Sequence, residues 1–208
     1  GPCGPCSEIH IDLRDKTEKS KISARELVNK DNPKVIELWN LVFIQYERKS
    51  DGNLVNLPKK HIDTGMGLER LSMVLQGVSS NYETDIFSDI IKEIEKISNC
   101  KYGRNEEKDI AMRVIADHLR AVCFTIADGQ LPSNNGAGYV IRRILRRAIR
   151  YAYSFLEIKK PFLGNLFDVL IRIMSSDFEE LMTNKQVVKS VIKEEEISFL
   201  RTLDQGLA

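Results

Sequence analysis

The two halves of the chain differ in the spacing of their hydrophobic residues. In residues 7–13, SEIHIDL, apolar and polar side chains alternate, which is the period of two expected of a strand with one buried face. Residues 35–48, VIELWNLVFIQYER, are rich in β-branched and aromatic residues and predict a longer strand. The Ser-Asp-Gly-Asn turn at 50–53, followed by LVNLPKKHID, predicts a return strand. The first half is therefore predicted to be antiparallel sheet.

From Asp85 onward nearly every segment has helical spacing. Apolar residues recur at three- and four-residue intervals, as on one face of a helix. The predicted helices cover about 85–98, 107–129, 138–156 and 163–175, and a last one starts near 185. The polar stretch GVSSNYET at 77–84 separates the two patterns. We predict an α+β fold, with a partial antiparallel sheet in a domain at 1–80 and a mostly α-helical domain at 81–208.

Composition narrows the class of protein. Hydrophobic residues make up 42% of the 208 positions and charged residues 29%, as in ordinary globular domains. No apolar run approaches the roughly 20 residues of a membrane span, so we expect no membrane partner. Four cysteines do not form a disulfide framework, which favours a reducing cytoplasm. The chain has 31 basic and 30 acidic residues, so its charges nearly cancel. Any binding of nucleic acid must therefore depend on local clusters of basic residues.

The sequence Cys3-Gly4-Pro5-Cys6 has the spacing of a redox dithiol or of half a zinc site. A thioredoxin-like site requires a helix after the second cysteine, whereas a strand pattern follows here. A zinc site needs two more ligands, and the available histidines, His10 and His61, do not have a convincing spacing. The segment is better explained as a double Gly-Pro turn that allows close backbone approach to a ligand or a neighbouring strand.

A glycine-rich turn, DTGMGLER at 63–70, joins a predicted strand to a predicted helix. Two glycines there permit close backbone contact with a planar ring or a phosphate. Arg70, near the start of the helix, adds a permanent cation with a fork of donors. A G-x-G turn alone is weak evidence for a ligand, but the flanking acid and arginine strengthen it.

Five arginines recur along one predicted helix and define what we call the arginine stripe: Arg142, Arg143, Arg146, Arg147 and Arg150. No acidic residue lies within the stretch to neutralise them. A solvated charged face is the ordinary explanation for such a pattern. Five arginines without a lysine favour contact with a phosphate backbone instead.

An ordered series of motifs resembles the alanyl-tRNA synthetase family, in class II of the aminoacyl-tRNA synthetases. These are GPCGPCSEIHID, IELWNLVFIQYER, HIDTGMGLERLSMVLQGVSSNYETDIF, RVIADHLRA, DGQLPSN, GYVIRRILRRAIR and EEEISFLRTLDQGL. The resemblance implies the end of the aminoacylation domain followed by the helical tRNA-recognition domain. We expect an internal fragment that lacks class II motifs 1 and 2 and the zinc-containing editing domain, and that is inactive by itself.

The resemblance implies ATP-dependent activation of alanine, with Mg²⁺, and transfer of the alanyl group to tRNA. It identifies 63–70 as class II motif 3. Asp63 would hold the alanine ammonium, Gly65 and Gly67 would admit alanine and the adenylate, and Arg70 would meet ATP phosphate. Asn40 and Val42 would line the amino-acid pocket. Their shared parity places them on one face of a strand. Glu37 is the candidate Mg²⁺ ligand, but a regular strand would point it away unless a bulge intervenes.

In the helical half the resemblance implies contact with the acceptor stem of the alanine tRNA. Asn134 is the candidate for contact with a base edge, because an amide both donates and accepts hydrogen bonds and so tolerates a wobble pair. The arginine stripe would contact phosphates. Ala137 stands where the family often has an arginine, so any role of that arginine cannot be transferred. His118, in RVIADHLRA, is expected to be structural.

Two other functions remain open at this level. The chain could be an RNA-binding module that performs no chemistry, which is compatible with its being a fragment. A thiol oxidoreductase built on Cys3 and Cys6 is the less favoured alternative.

Overall fold

A computed structural model describes residues 1–206. These residues contain four strands and eight α-helices in two compact units, one formed by Gly1–Ser79 and the other starting at Ser80. The predicted α+β class is confirmed. Whether the units correspond to a catalytic and a tRNA-recognition domain stays a prediction.

The first unit is an antiparallel sheet built around one long strand. In chain order its elements are β1 Pro2–Cys3, β2 Cys6–Asp12, α1 Lys16–Lys21, β3 Val35–Arg48, β4 Leu54–Met66 and α2 Leu68–Gln76. On β3, Tyr46 is paired with Cys3 of β1 on one side and Asn56 of β4 on the other, and Val42 is paired with Cys6 of β2 and Asp63 of β4 in the same way. Strands β1 and β2 therefore lie along one edge of β3, and β4 lies along the opposite edge.

The opening turn matches the favoured explanation of GPCGPC. A Cβ on Gly4 would overlap the carbonyl group of Phe43, so β1 and β2 approach β3 more closely there than a side chain permits. The N–H of Phe43 donates to Pro5 O at 2.9 Å in the same place. Strand β2 begins at Cys6, so the helix that a redox dithiol needs is not present after the motif.

Little of the first unit is buried. Ile9, Ile62 and Met66 are 49%, 63% and 43% exposed on the sheet. A buried guanidinium instead organises one end of β2: Arg14 donates to both carboxylate oxygens of Asp12 at 2.9 Å. This interaction lowers the pKa of Asp12 to about 2. Both polar and apolar side chains of the sheet are thus accessible to solvent within this unit.

The second unit is helical and has a large apolar core. Its α-helices are α3 Ser88–Ser98, α4 Glu106–Ala127, α5 Gly136–Leu156, α6 Leu163–Met174, α7 Glu179–Thr183 and α8 Lys185–Gly206. Phe87, Met112, Leu145 and Phe167 are among its fully buried side chains. The predicted helices are confirmed; the short α7 was missed. No helix among residues 1–206 combines the length and the apolar character needed to cross a bilayer.

Candidate functional site

Four predicted pocket residues lie on one face of the sheet. Asn40 is opposite Gly65, and Val42 is opposite Asp63, in the antiparallel pairing of β3 with β4. Directly opposed residues in such a pair project to the same face. Asp63 and Gly65 are exposed, and a Cβ on Gly65 would meet no atom within 4 Å. The structure thus groups a carboxylate, an amide, a small apolar side chain and open space.

A β-bulge brings Glu37 to the same face. Ile9 is opposite Trp39, but His10 is opposite Glu37, so Leu38 is an extra residue on β3. This is the bulge that the sequence analysis named as the exception to strand parity; it reverses the parity between Glu37 and Asn40. On β2, His10 lies two residues after Glu8, so both side chains project to one face of the sheet. Glu37, which is opposite His10, projects to that face too. That Glu37 binds Mg²⁺ stays a prediction.

Glu8 and Asn29 complete this face, and the sequence analysis assigned neither a role. Glu8 Oε1 accepts a hydrogen bond from Asn40 Nδ2 at 3.1 Å, and its Oε2 accepts one from Asn29 Nδ2 at 3.0 Å. His10 Nε2 lies 3.3 Å from Asn29 Oδ1. The alternation in residues 7–13 put Glu8 on the polar face. Asn29 was undetectable, because it comes from an irregular segment 21 residues away from Glu8.

Three side chains on this face could share a cation. One ligand atom from each of Glu8, His10 and Glu37 lies within 4.8 Å of the others. This is the single cluster of that kind among residues 1–206, and it includes neither Cys3 nor Cys6. Two carboxylates are the donor set that suits a hard divalent cation such as Mg²⁺.

Arg70 borders the sheet face from the first turn of α2. Its Nη1 donates to the carbonyl oxygen of Glu37 at 2.8 Å. A Cβ on Gly67, the residue before α2, would lie 3.4 Å from the aliphatic part of Arg70. The arginine stem therefore crosses Gly67 and its exposed head reaches the strand that carries Glu37.

In the helical unit, Asn134 lies on a tightly held loop before α5. Ser133 N donates to Gly138 O at 2.9 Å, and Ser133 Oγ donates to Asn135 O at 2.8 Å. A Cβ on Gly138 would overlap the carbonyl oxygen of Leu131 and the side chain of Ser133. Glycine at this position allows the loop to pack directly on the helix, with Asn134 exposed.

The arginine stripe is divided between two environments. Arg142 pairs with Glu195 of α8, and Arg146 lies over the ring of Phe199, 5.1 Å from its centroid. Arg143, Arg147 and Arg150 are exposed. Helix α8 supplies a carboxylate to Arg142 and an aromatic ring to Arg146, the two half-buried members. That the stripe contacts phosphates stays a prediction.

His118 is a half-buried residue of α4, and its structural role stays a prediction. Its Nδ1 lies 2.9 Å from Asp117 Oδ2, and this hydrogen bond lowers the pKa of Asp117. Its Nε2 is buried and has no hydrogen-bond partner within residues 1–206. The side chain is 15% exposed, and none of the predicted site residues contacts it through a hydrogen bond.

Comparison with known proteins gives one consistent result. The model of the family described as tRNA synthetases class II (A) matches residues 1–208. The chain is 63% identical over 207 residues to an alanine–tRNA ligase of Christiangramia forsetii and 61% identical over 207 residues to one of Bacteroides fragilis. It is 59% identical over 208 residues to one of Cytophaga hutchinsonii. Each match covers 100% of this chain but 24% of the relative. The chain thus spans about a quarter of the length of these curated relatives.

Proposed function

The chain belongs to the family of class II tRNA synthetases (A), as its motifs predicted, and we propose that it forms part of an alanine–tRNA ligase. In the proposed reaction, the carboxylate of alanine attacks the α-phosphate of ATP, and pyrophosphate leaves. The alanyl group of the adenylate then passes to the 3′ end of the tRNA, and AMP leaves. Positioning and electrostatic stabilisation of phosphoryl charge supply the catalysis.

The observation that carries this proposal is the shared face of Asn40, Val42, Asp63 and Gly65. The exposed carboxylate of Asp63 pairs with the ammonium group of alanine. Because Glu8 holds Nδ2 of Asn40, the amide oxygen is left to accept a hydrogen bond from the same ammonium. Val42, opposite Asp63, packs on the methyl group, and the open space over Gly65 takes the backbone of the substrate.

ATP is proposed to bind at the end of this face, where Arg70 and Glu37 meet. The guanidinium of Arg70 binds phosphate oxygens through donors that the Glu37 carbonyl does not occupy. Glu8 and Glu37 would hold Mg²⁺, since carboxylates suit this cation better than the imidazole of His10 does. When bound, the cation neutralises phosphate charge during the transfer.

The helical unit is proposed to bind the acceptor stem of the alanine tRNA. Asn134 contacts a base edge, and the exposed members of the arginine stripe, Arg143, Arg147 and Arg150, contact phosphates. The exposure of these three side chains supports the assignment. The zinc-containing editing domain of the family is expected outside this quarter of the protein.

Alanine-dependent ATP–pyrophosphate exchange tests the catalytic part of the proposal. In the complete polypeptide that contains this chain, Asp63→Asn should lower kcat/KM for alanine about a hundredfold, because the ammonium loses its counter-charge. Asp31→Asn is the matched control, because Asp31 is exposed and its left-handed backbone (φ 53°) accommodates asparagine. Equal exchange by the two variants would contradict the role of Asp63. The 208-residue chain alone is expected to show no exchange.

A further inference from the structure

A chain of polar contacts links α8 to the loop before α5. The two carboxylate oxygens of Glu195 accept hydrogen bonds from Arg142 Nε at 3.1 and 3.0 Å, and Oε1 also accepts one from Nη2 at 2.5 Å. Arg142 Nη1 donates to Asn134 Oδ1 at 2.5 Å. The side chains of Arg142 and Glu195 are 18% and 15% exposed, so solvent screens their interaction only in part. Glu195 thereby fixes the plane of the guanidinium, and the guanidinium fixes the amide.

The chemistry of arginine settles the orientation of the Asn134 amide. A guanidinium has five donors and no acceptor, so the amide atom that faces it must be the oxygen. Asn134 Nδ2 has no hydrogen-bond partner within residues 1–206. The oxygen is therefore turned toward the guanidinium and accepts its hydrogen bond, and the two N–H donors point away from Arg142.

The loop itself restricts other orientations. The bonds of Ser133 to Gly138 and Asn135 hold the backbone on both sides of Asn134. Arg142 Nη2 also lies 3.4 Å from the carbonyl oxygen of Pro132, at the other end of the loop. The same guanidinium therefore contacts the loop backbone and the amide.

We propose that Arg142 and Glu195 are positioning residues, which turn the amide of Asn134 so that its N–H donors face the RNA; this inference rests on the tRNA-binding function proposed above. An amide presented in this way selects hydrogen-bond acceptors. In the shallow minor groove of an RNA helix these are purine N3, pyrimidine O2 and the 2′-hydroxyl oxygen. Arg142 thus acts through Asn134, in contrast to the phosphate contact that the sequence pattern predicted for it.

The test is the discrimination between two RNA hairpins by the complete enzyme. One hairpin carries the acceptor stem of the cognate alanine tRNA, and the other differs at the base pair whose change affects alanylation most. Discrimination is the ratio of kcat/KM for alanylation of the two hairpins. Because both values come from one preparation, any misfolded fraction cancels from the ratio.

We expect Glu195→Gln and Arg142→Lys each to lower this ratio about tenfold. Neither should lower it further when Asn134 is already alanine, because their effect passes through that side chain.

Two exposed residues provide matched controls. Glu194→Gln lies one residue before Glu195, and Arg172→Lys lies on α6, outside the arginine stripe; both repeat the same chemical changes and should leave the ratio unchanged. An unchanged ratio in Glu195→Gln and Arg142→Lys would overturn the inference, as would an equal fall in the Asn134→Ala background. Failure of the wild-type enzyme to alanylate either hairpin would overturn the proposed function and the inference with it.

Discussion

Glu196 on α8 accepts the backbone N–H of Phe162 at 2.9 Å, immediately before the first turn of α6. The carboxylate is 1% exposed, and burial raises its pKa from an ordinary 4.5 to about 7. Two longer hydrogen bonds from Leu163 N, both 3.4 Å, oppose this shift without cancelling it. One helix therefore caps another with a group that titrates near neutral pH.

Stability should fall as pH rises from 5 to 8. The folded-state pKa of Glu196 is raised, so the folded protein binds a proton that the unfolded chain releases between about pH 4.5 and 7. The decrease should be roughly 2–3 kcal/mol and complete above the folded-state pKa. Glu196→Gln stays neutral and keeps an acceptor, so its profile should be flat in this range, and it should be the more stable protein at pH 8. Denaturant unfolding at several pH values measures this. Glu194→Gln should keep the wild-type slope, and a flat wild-type profile would contradict the prediction.

Gly4→Ala should destabilise the sheet unit. The added methyl group would overlap the Phe43 carbonyl, which belongs to the central strand and cannot move without breaking pairs on both sides. We expect the unfolding free energy to fall by about 1–3 kcal/mol, typical of overpacking. Hydrogen exchange of the Phe43 amide, which is bonded to Pro5 O, should become faster. Wild-type protection of that amide in the variant would rule out the proposed clash.

Gly65→Ala should weaken the binding of alanine without destabilising the fold. A Cβ there meets no protein atom within 4 Å, so the free energy of unfolding should change by less than about 1 kcal/mol. If alanine occupies that space, the methyl group excludes it, and KM for alanine in pyrophosphate exchange should rise at least about tenfold. Wild-type KM in a stably folded variant would place the substrate elsewhere.

Glu8→Gln and Glu37→Gln should each raise the Mg²⁺ concentration that gives half-maximal exchange. Removing one of two carboxylates weakens the attraction for a divalent cation, and we expect about a tenfold increase. Glu47→Gln is the control on the same strand, where the carboxylate pairs with Lys49 at 2.6 Å. An equal shift in all three variants would point to a general charge effect and not to a site.

The salt dependence of RNA binding should distinguish the exposed arginines of the stripe from the half-buried ones. Replacing Arg143, Arg147 or Arg150 by Gln should reduce the slope of log binding constant against log salt by roughly one for each phosphate that is no longer neutralised. Acceptor-stem hairpin binding by fluorescence anisotropy measures it. Arg146→Gln should change the slope less, because its guanidinium is half-buried against Phe199 of α8, whereas Arg143 and Arg147, which also lie over aromatic rings, are exposed. Arg172→Gln, at an exposed position on α6, controls for the loss of one positive charge. A slope for Arg172→Gln equal to that for Arg147→Gln would contradict phosphate contacts specific to the arginine stripe.

The sequence predicted elements better than it predicted partners. Strand β3 was predicted at its observed bounds, because fourteen β-forming residues end at a strong turn. The bulge at Leu38 left no such trace, since one extra apolar residue in an apolar strand does not change the composition. It nevertheless decided the direction in which Glu37 points.

The helical site shows the same limit. Glu194, Glu195 and Glu196 are identical in type and adjacent, yet they are respectively exposed, paired with Arg142, and buried against α6. Local spacing marks only the buried position of Glu196, which lies four residues from the buried Ile192 and Leu200; it does not identify the partners of the three. The partners of Glu195 and Glu196 lie at sequence separations of 53 and 34 residues, and a periodicity analysis does not identify such pairs.

These two connections fix the rotational phase of α8. Successive residues of a helix point about 100° apart, so Glu195 and Glu196 meet their different partners at one setting of the helix only. Deleting a single residue just before them would turn both carboxylates away together, which would release the loop that presents Asn134 and uncap α6 in one step. This segment should therefore tolerate many substitutions on its outer surface while rejecting any change in its length.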